Sequence, residues 1–497
     1  MPTTSTQSES SRPCGRTYWL LTGGTGLVGQ YLIRDLTLAG QRLAVIVRPG
    51  RKLTPHQRIE NLMQHWEREL DRSLPRPVVL TGDVAQPRLG LEDTDRRWVR
   101  EHCSRLIHNA AVLEFHTNRD GEPWKTNAGG TRNVLELADE IEPNELHYVS
   151  TAYVCGCRDG LIREDELDCG QTFRNDYEQS KFQAEQSVRQ ARGDWTTTIY
   201  RPAVIAGDSE TGYTSTYHGL YLYLRLLATL VPQQKRNEHG VIETPIRLPM
   251  QGDEPRNLVP VQWVSQVMTR ILLDPRAHGQ TYHLVPNAFV TPRLVIEACY
   301  EYFNSDGVQF CGPTNERPAD NEFSARYFEN ARMYEDYETS DPRFDNTNLL
   351  RVAGDLPCPV IDKQTILRYM EFGVADRWGK RRPRPPQIEF DAAAHLNAIG
   401  EALRQFEREF ERAGNSAIPP DNPIGIRWRG PGGGDWKMIR VDDQWLPQPG
   451  LPRDENENVF LESDVTEIQR DCPTTDSAAK ILYWLDQLQT QLASRRT

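Results

Sequence analysis

Tyr177 and Lys181, in the run Tyr177-Glu178-Gln179-Ser180-Lys181, are the residues of this chain best spaced to move a proton. On a helix, positions i and i+4 lie on one face a turn apart, so phenol and ammonium become neighbours. An unperturbed phenol has a pKa of about 10 and is a poor acid at neutral pH, and a fixed ammonium beside it favours the phenolate and lowers that value. The pair is therefore expected to be a general acid, with Lys181 holding the tyrosine down. Helices that do no chemistry also carry such pairs by chance. What gives this one weight is Tyr148-Val149-Ser150-Thr151-Ala152-Tyr153-Val154, an apolar strand ending in hydroxyls, with Thr151 placed 26 residues before Tyr177.

The element that must hold a hydride donor near these groups begins at Leu20-Leu21-Thr22-Gly23-Gly24-Thr25-Gly26-Leu27-Val28-Gly29. An apolar strand (Tyr18–Leu21) breaks into glycines at i, i+3 and i+6, then resumes with the helical spacing of Tyr31, Leu32, Ile33, Leu36 and Leu38. Gly23 would permit the tight turn, Gly26 the approach of a pyrophosphate, and Gly29 close packing of helix on strand, with the helix N-terminus facing the anion. A second strand, Leu43–Val47, follows at βαβ distance and ends in Arg48, where a site for the unphosphorylated dinucleotide carries Asp or Glu. A guanidinium there suits a 2′-phosphate, and Arg51, Lys52 and Arg58 add positive charge, so the cofactor is expected to be NADP(H).

With these pieces in place the sequence resembles the extended short-chain dehydrogenase/reductases over roughly residues 16 to 300. The motifs run in order: Thr22 to Gly29, Gly82-Asp83-Val84, His108-Asn109-Ala110-Ala111, Asn127 with Gly130-Thr131, Ser150-Thr151, Tyr177 and Lys181, then Arg201-Pro202. The resemblance implies a catalytic set of Thr151, Tyr177 and Lys181. It implies cofactor contacts from Thr22, Gly23, Thr25, Gly26, Leu27, Val28, Gly29, Arg48, Arg58, Asp83 (adenine), Val84, Asn109, Ala110 and Ala111 (ribose and nicotinamide side), Tyr177 and Lys181. Asn127 is expected to brace strands rather than do chemistry. Within that superfamily the chain is most similar to the thioester reductase and fatty acyl-CoA reductase group, the male sterility type. The likeness rests on Val47-Arg48, Gly82 to Leu91, Ile107 to Phe115, and Val149 to Val154. Gly207 to Gly212 and Asn257 to Val261 fit that group's substrate-side loop and return to the sheet, and Ser340 to Asp345 resemble its C-terminal pieces.

Composition bounds the rest. At 497 residues and 38% apolar content the chain can bury a large core and suggests two or three domains. The net charge of −12 gives no attraction to nucleic acid or anionic membrane, so neither is an expected partner. The nine cysteines show no Cys-x-x-Cys pair, which indicates neither a zinc site nor a disulfide framework, and no metal is expected. Residues 1–15 are polar and Ser/Thr-rich, unlike a signal peptide, and are expected to be a disordered tail of a cytoplasmic protein. The apolar run Gly219 to Val231 is too short to span a bilayer and reads either as a core helix or as the lining of an acyl pocket.

The expected fold is α/β, a Rossmann doubly wound parallel sheet with an interleaved substrate lobe over 16–380, followed after a Pro-rich linker (380–387) by an α+β module over 388–497. In that module Phe390–Ala413 and Ser477–Leu492 read as amphipathic helices, and Ile424–Trp428, Trp436–Val441 and Val459–Leu461 as strands, with Gly430 to Gly434 a hairpin connection. Its layout is similar to sterol carrier type lipid-binding domains, and dimerisation or packing is the plainer alternative.

The function these readings give is NADPH-dependent reduction of a carbonyl compound, foremost a fatty acyl thioester on CoA or an acyl carrier protein, through a hemithioacetal to aldehyde or alcohol. Because the chain reaches its first strand almost at once, the thioester is expected to arrive from a separate carrier. Two alternatives stay open: a nucleotide-sugar epimerase or dehydratase on the same fold, against which Arg48 and the Ala152-Tyr153 pair speak, and a non-enzymatic NADP-binding scaffold.

Overall fold

The computed structural model describes residues 17–313, 319–332, 341–380, 384–412, 423–441, 444–452 and 460–494. The expected tail, Ser340 and Cys14 lie outside them. Strand β1 (Tyr18–Thr22) is buried throughout and β2 (Arg42–Val47) at all but its first position. Strands covered on both faces read as unbroken apolar runs, which is why no alternation marks them. With β3 (Val78–Thr81), β4 (Cys103–His108), β5 (Glu145–Val149), β6 (Thr196–Pro202) and β7 (Thr281–Leu284) they make a parallel seven-stranded sheet in the order 3-2-1-4-5-6-7. The order reverses between β1 and β4, and such a switch point opens a crevice beyond the carboxyl ends of the strands.

Helices cover both faces of the sheet. Trp19 and Leu21 of β1 face one core with α1 (Leu27–Leu38) and α2 (Pro55–Leu70), whereas Tyr18 and Leu20 face another with α3 (Asp93–His102), α4 (Gly130–Ile141) and α5 (Asp176–Gln190). Beyond β6 the chain builds the substrate lobe, beginning with α6 (Leu220–Leu230), returns to the first face through α7 (Val261–Leu273), and adds α8 (Pro292–Phe303) and α9 (Glu322–Ala331). The return is made where Leu258–Pro260 pairs with Val204–Ala206.

Residues 384–494 form a smaller α+β unit. Ile424–Arg429 pairs antiparallel with Gly434–Val441 across the glycine cluster, Gln444–Pro449 is one edge, and Phe460–Asp464 lies parallel at the other. Helices Ala392–Arg412 and Ser477–Ser494 close a core that includes Ile399, Leu403, Trp428, Met438 and Trp484. Three features depart from the sequence reading: Ala152–Cys155 is a 3-10 turn and not the end of a strand, Gln444–Pro449 is an additional strand, and Val465–Asp471 an additional helix.

This unit packs on the end of the sheet opposite the crevice. Tyr18, the first residue of β1, donates to Asp435 Oδ2 (3.2 Å) and accepts from the Leu451 amide (2.8 Å), and Trp98 Nε1 donates to the Pro449 carbonyl (2.9 Å). Replacing Tyr18 with Phe keeps the ring but strands a buried amide, so a loss of about 1–3 kcal/mol is expected, read as a lower urea midpoint. An unchanged midpoint would show that this contact contributes nothing to stability.

Candidate active site

The three glycines divide the labour by geometry. Gly23 sits at φ +72°, and a Cβ there would lie 2.6 Å from the Ala110 amide nitrogen. A Cβ on Gly29 would lie 2.1 Å from the Gly23 carbonyl oxygen, so only glycine lets α1 pack this close to the turn. Gly26, by contrast, is exposed, faces the cleft, and N-caps α1 with no side-chain cap. An uncapped first turn presents its N–H groups to an anion, which is what a pyrophosphate needs.

Asn109 Nδ2 donates to the Gly23 carbonyl (3.1 Å) and fixes the turn against the end of β4. Asp83 Oδ1 accepts from the Ala85 amide (3.0 Å) and shapes its own loop. At the tip of β2, Arg58 donates to the Arg48 carbonyl (2.9 Å) and to Thr25 Oγ1 (2.8 Å), which holds the Arg58 guanidinium on the glycine turn with Arg48 as a neighbouring cation. Neither pairs with a carboxylate among the described residues. Burial and the neighbouring Arg48 push the Arg58 pKa down, the mark of cations gathered without a counter-charge.

A buried hydrogen-bond chain ties this turn to the helix of the tyrosine. The Ala110 amide donates to Thr22 Oγ1 (3.3 Å), Thr22 meets His108 Nδ1 (2.8 Å), His108 Nε2 meets Thr131 Oγ1 (3.0 Å), and Thr131 donates to the Asn127 carbonyl (2.6 Å). Since Thr131 spends its proton on Asn127, His108 must donate from Nε2 and accept Thr22 at Nδ1. Burial keeps that imidazole neutral, its pKa pushed down to about 3. Asn127 exchanges hydrogen bonds with Val112 (2.8 and 3.0 Å) and donates to Ser180 Oγ (3.0 Å). It braces the loop after β4 to α5, and not two strands.

Thr151, Tyr177 and Lys181 all line one cleft. Thr151 follows β5, its Oγ1 accepting from the Tyr153 amide (3.3 Å), and it lies near enough to Tyr177 to favour the charged form of the phenol. Asn175 N-caps α5 by accepting from the Glu178 amide (3.1 Å), which puts Tyr177 in the first turn. Lys181 donates to the Val149 carbonyl (2.7 Å), the last of β5, and lies 4.5 Å from the centroid of the Tyr148 ring.

The protonation of this set differs from the sequence expectation. Burial pushes the Tyr177 phenol up to about 12, and the nearby Thr151 offsets only part of that. Burial also pushes the Lys181 ammonium down to about 7. The lysine does not hold the tyrosine down, because loss of water disfavours the charged form of both groups. Tyr177 is therefore a neutral phenol at pH 7, the form that a proton donor requires.

Helix α5 is locked in place by charge. Glu185, fully buried, accepts from Arg201 (2.7 and 3.1 Å), Arg189 (3.0 Å) and Ser150 Oγ (2.6 Å). Arg201 of β6 is itself only 1% exposed. The pair clamps α5 to the sheet beside Thr151.

The cleft holds about 510 Å³ and runs from Gly26 and Asn109, past Thr151 and Tyr177, into the lobe beyond β6. Its far half is apolar, with Leu220, Tyr223, Leu227, Leu248, Met250 and Val295. The two readings of Gly219 to Val231 thus coincide: Leu224 and Leu230 of α6 are core, while Leu220 and Tyr223 face the cleft. The lining spans residues 26 to 341, with nothing from 384–494. Sequence reasoning missed Asp341 as a lining residue. Its carboxylate accepts from Tyr153 (2.9 Å) and the Asn257 amide (2.7 Å), and burial pushes its pKa up. A lone Asp-Pro 188 residues from its partner carries no signal of that contact.

Switch-point crevice, uncapped glycine turn and the Thr-Tyr-Lys set at the strand ends define an NAD(P)-dependent oxidoreductase of the extended short-chain dehydrogenase/reductase class. Residues 21–268 match the family described as "Male sterility protein", an NAD-binding family, and this part of the chain belongs to it. Over 377 residues the chain is 26% identical to a linear gramicidin synthase of Brevibacillus parabrevis, covering 71% of this chain and 7% of that protein. It is 24% identical to the aldehyde reductase lnaA of Aspergillus flavus, covering 71% of this chain and 35% of the relative. Among solved structures, the terminal R domain of the myxalamid PKS-NRPS pathway superimposes with a TM-score of 0.60 at 26% identity, covering 75% of this chain and 93% of that one. The chain spans from 7% to about a third of the length of these curated relatives. Among the described residues no helix is long and apolar enough to cross a membrane.

Proposed function

We propose that the protein reduces an acyl thioester, delivered on a carrier's phosphopantetheine arm or on CoA, with NADPH as the reductant. The observation that carries this reading is the cleft in which Thr151 and Tyr177 stand between an anion-ready glycine turn and an apolar chamber. An aliphatic acyl chain gains about 0.8 kcal/mol per methylene buried against Leu220, Leu227, Leu248, Met250 and Val295, where a sugar would find no polar side chain to replace its water. The similarity to the R domain of a PKS-NRPS pathway supports the thioester substrate.

The residues present fit a dinucleotide: Gly23 and Gly29 let the turn and α1 close on backbone that any Cβ would strike, and Gly26, exposed and with little around it, opens the first turn of α1 to the phosphates. Leu27, Val28, Asn109 and Ala111 line the cleft, and with Thr25, Asp83, Val84 and Ala110 they would complete the cradle; Thr22 is fully buried and would act only through the Ala110 amide that it holds. Arg48 and Arg58 would hold the 2′-phosphate. When bound, the dihydronicotinamide supplies a hydride to the thioester carbon. Thr151 and Tyr177 bind the carbonyl oxygen, where charge develops, and Tyr177 gives it the proton. Lys181, anchored on Val149, would orient the cofactor ribose. The resulting hemithioacetal breaks its C–S bond to aldehyde and thiol.

The test is anaerobic NADPH oxidation with a panel of acyl-CoAs, carrier-bound acyl groups, aldehydes and nucleotide sugars, with products identified by mass. Oxidation with thioesters supports the reading, and turnover of nucleotide sugars alone overturns it. Cofactor choice has its own test. Arg48→Asp is expected to reverse a preference for NADPH, since a charge-assisted contact to phosphate is worth about 1.5–3 kcal/mol, roughly 10- to 150-fold in relative kcat/KM. Equal efficiency with NADH and NADPH in the unaltered protein would remove the role given to Arg48.

A further inference from the structure

Glu145 and His147, at i and i+2 on β5, share one side of the strand, and His278, just before β7, comes up against them. Their ligand atoms all lie within 4.8 Å of one another. His147 Nε2 is 3.6 Å from Glu145 Oε2, and His278 Nδ1 is 3.7 Å from Glu145 Oε1. Both separations are too long for hydrogen bonds. These two separations are close to the spacing that ligands take around a tetrahedral ion bonded at about 2.0–2.2 Å, and the widest pair of the trio, up to 4.8 Å apart, would draw in on the ion.

The other ring nitrogens are already engaged. His278 Nε2 donates to the Ile271 carbonyl (3.0 Å), so its Nδ1 carries the lone pair that faces Glu145. His147 Nδ1 pairs with the Tyr200 hydroxyl (3.0 Å). Outer hydrogen bonds of this kind orient metal-bound imidazoles. His147 is fully buried, yet neither its Nε2 nor Glu145 Oε2 has a hydrogen-bond partner among the described residues. The opposing feature is Arg105, whose Nε lies 3.2 Å from Glu145 Oε2 as an ion pair without a hydrogen bond.

We infer that Glu145, His147 and His278 form a site for a divalent transition ion of the zinc class, with water as fourth ligand. Imidazole and carboxylate donors suit Zn²⁺ and Co²⁺ over Mg²⁺ or Ca²⁺. The site joins the amino end of β5 to the segment entering β7, at the opposite end of the strands from Tyr177. It is a structural brace, independent of the reading given to the cleft. The sequence expectation of no metal rested on cysteine spacing, to which this trio is invisible.

The test uses the untagged full chain with its thiols alkylated, loaded with Zn²⁺ or Co²⁺ and dialysed. One equivalent of bound zinc, a tetrahedral cobalt d–d spectrum and a higher thermal midpoint with zinc are expected. Glu145→Gln and His278→Ala should abolish the spectrum and the stoichiometric binding, with NADPH affinity retained as the check on folding. Tyr200→Phe should weaken zinc binding by about tenfold or more while leaving the ligand set intact. Binding below a tenth of an equivalent, or full binding kept by both ligand variants, overturns the inference. Reductase activity should survive complete removal of the ion by a chelator, so failure here leaves the cleft's chemistry untouched and the reverse also holds.

Discussion

Tyr177→Phe is expected to lower thioester turnover by about 10²–10⁴-fold while leaving NADPH affinity nearly unchanged. The substitution keeps the ring that lines the cleft and removes only the O–H beside Thr151. A group that acts on the developing oxyanion serves the transition state and not the ground state, so the loss falls on kcat with little change in KM. Lys181→Ala should instead lose both turnover and cofactor affinity, because its ammonium is anchored between β5 and the cleft. Fluorescence titration with NADPH and steady-state kinetics separate the two outcomes. A phenylalanine variant with most of its activity would mean that another group supplies the proton.

The largest effect on stability is expected from Glu185→Ala, at about 3–5 kcal/mol, because it leaves the Arg201 guanidinium buried and unpaired. The same change frees the Ser150 hydroxyl beside Thr151 and loosens α5, so activity should fall along with the unfolding midpoint. The clamp also has a pH signature. Arg201 holds the Glu185 carboxyl below its ordinary value against the opposing effect of burial. A carboxyl depressed on folding contributes stability that is complete above the unfolded value of about 4.3 and is lost as pH falls through the folded one. In Glu185→Gln the dependence of stability on pH below about 4.3 should flatten relative to the unaltered chain. Urea melts between neutral and acidic pH check both statements, and a Glu185→Ala midpoint equal to that of the parent would show that the pair contributes nothing.

What could be read from the sequence was what depends on neighbours along the chain. Gly23 makes the tight turn and Gly29 the close helix packing that their spacing suggested, because a strand, a turn and a helix start are local structures. The proton chemistry of Tyr177 and Lys181 was misjudged because it depends on water, which the fold removes and the i, i+4 spacing does not record. Gln444–Pro449 escaped notice because Pro447 and Pro449 argue against a strand, yet it is an edge strand, where proline is tolerated. Tyr148 to Val154 looked like one strand by composition, but the backbone turns at Thr151, whose hydroxyl caps the turn it starts by accepting from the Tyr153 amide. Contacts between distant segments, Asp341 with Tyr153 and Tyr18 with Asp435, leave no local trace.

The most direct test of thioester reduction at this cleft is a single turnover with NADPH deuterated at C4 and an acyl thioester, following the free thiol and the label together. One thiol released per NADPH oxidised, with deuterium on the carbonyl carbon of the aldehyde, is the expected result, and Tyr177→Phe should suppress both signals in parallel. Thiol release without NADPH oxidation, giving the carboxylic acid and no label, would contradict it.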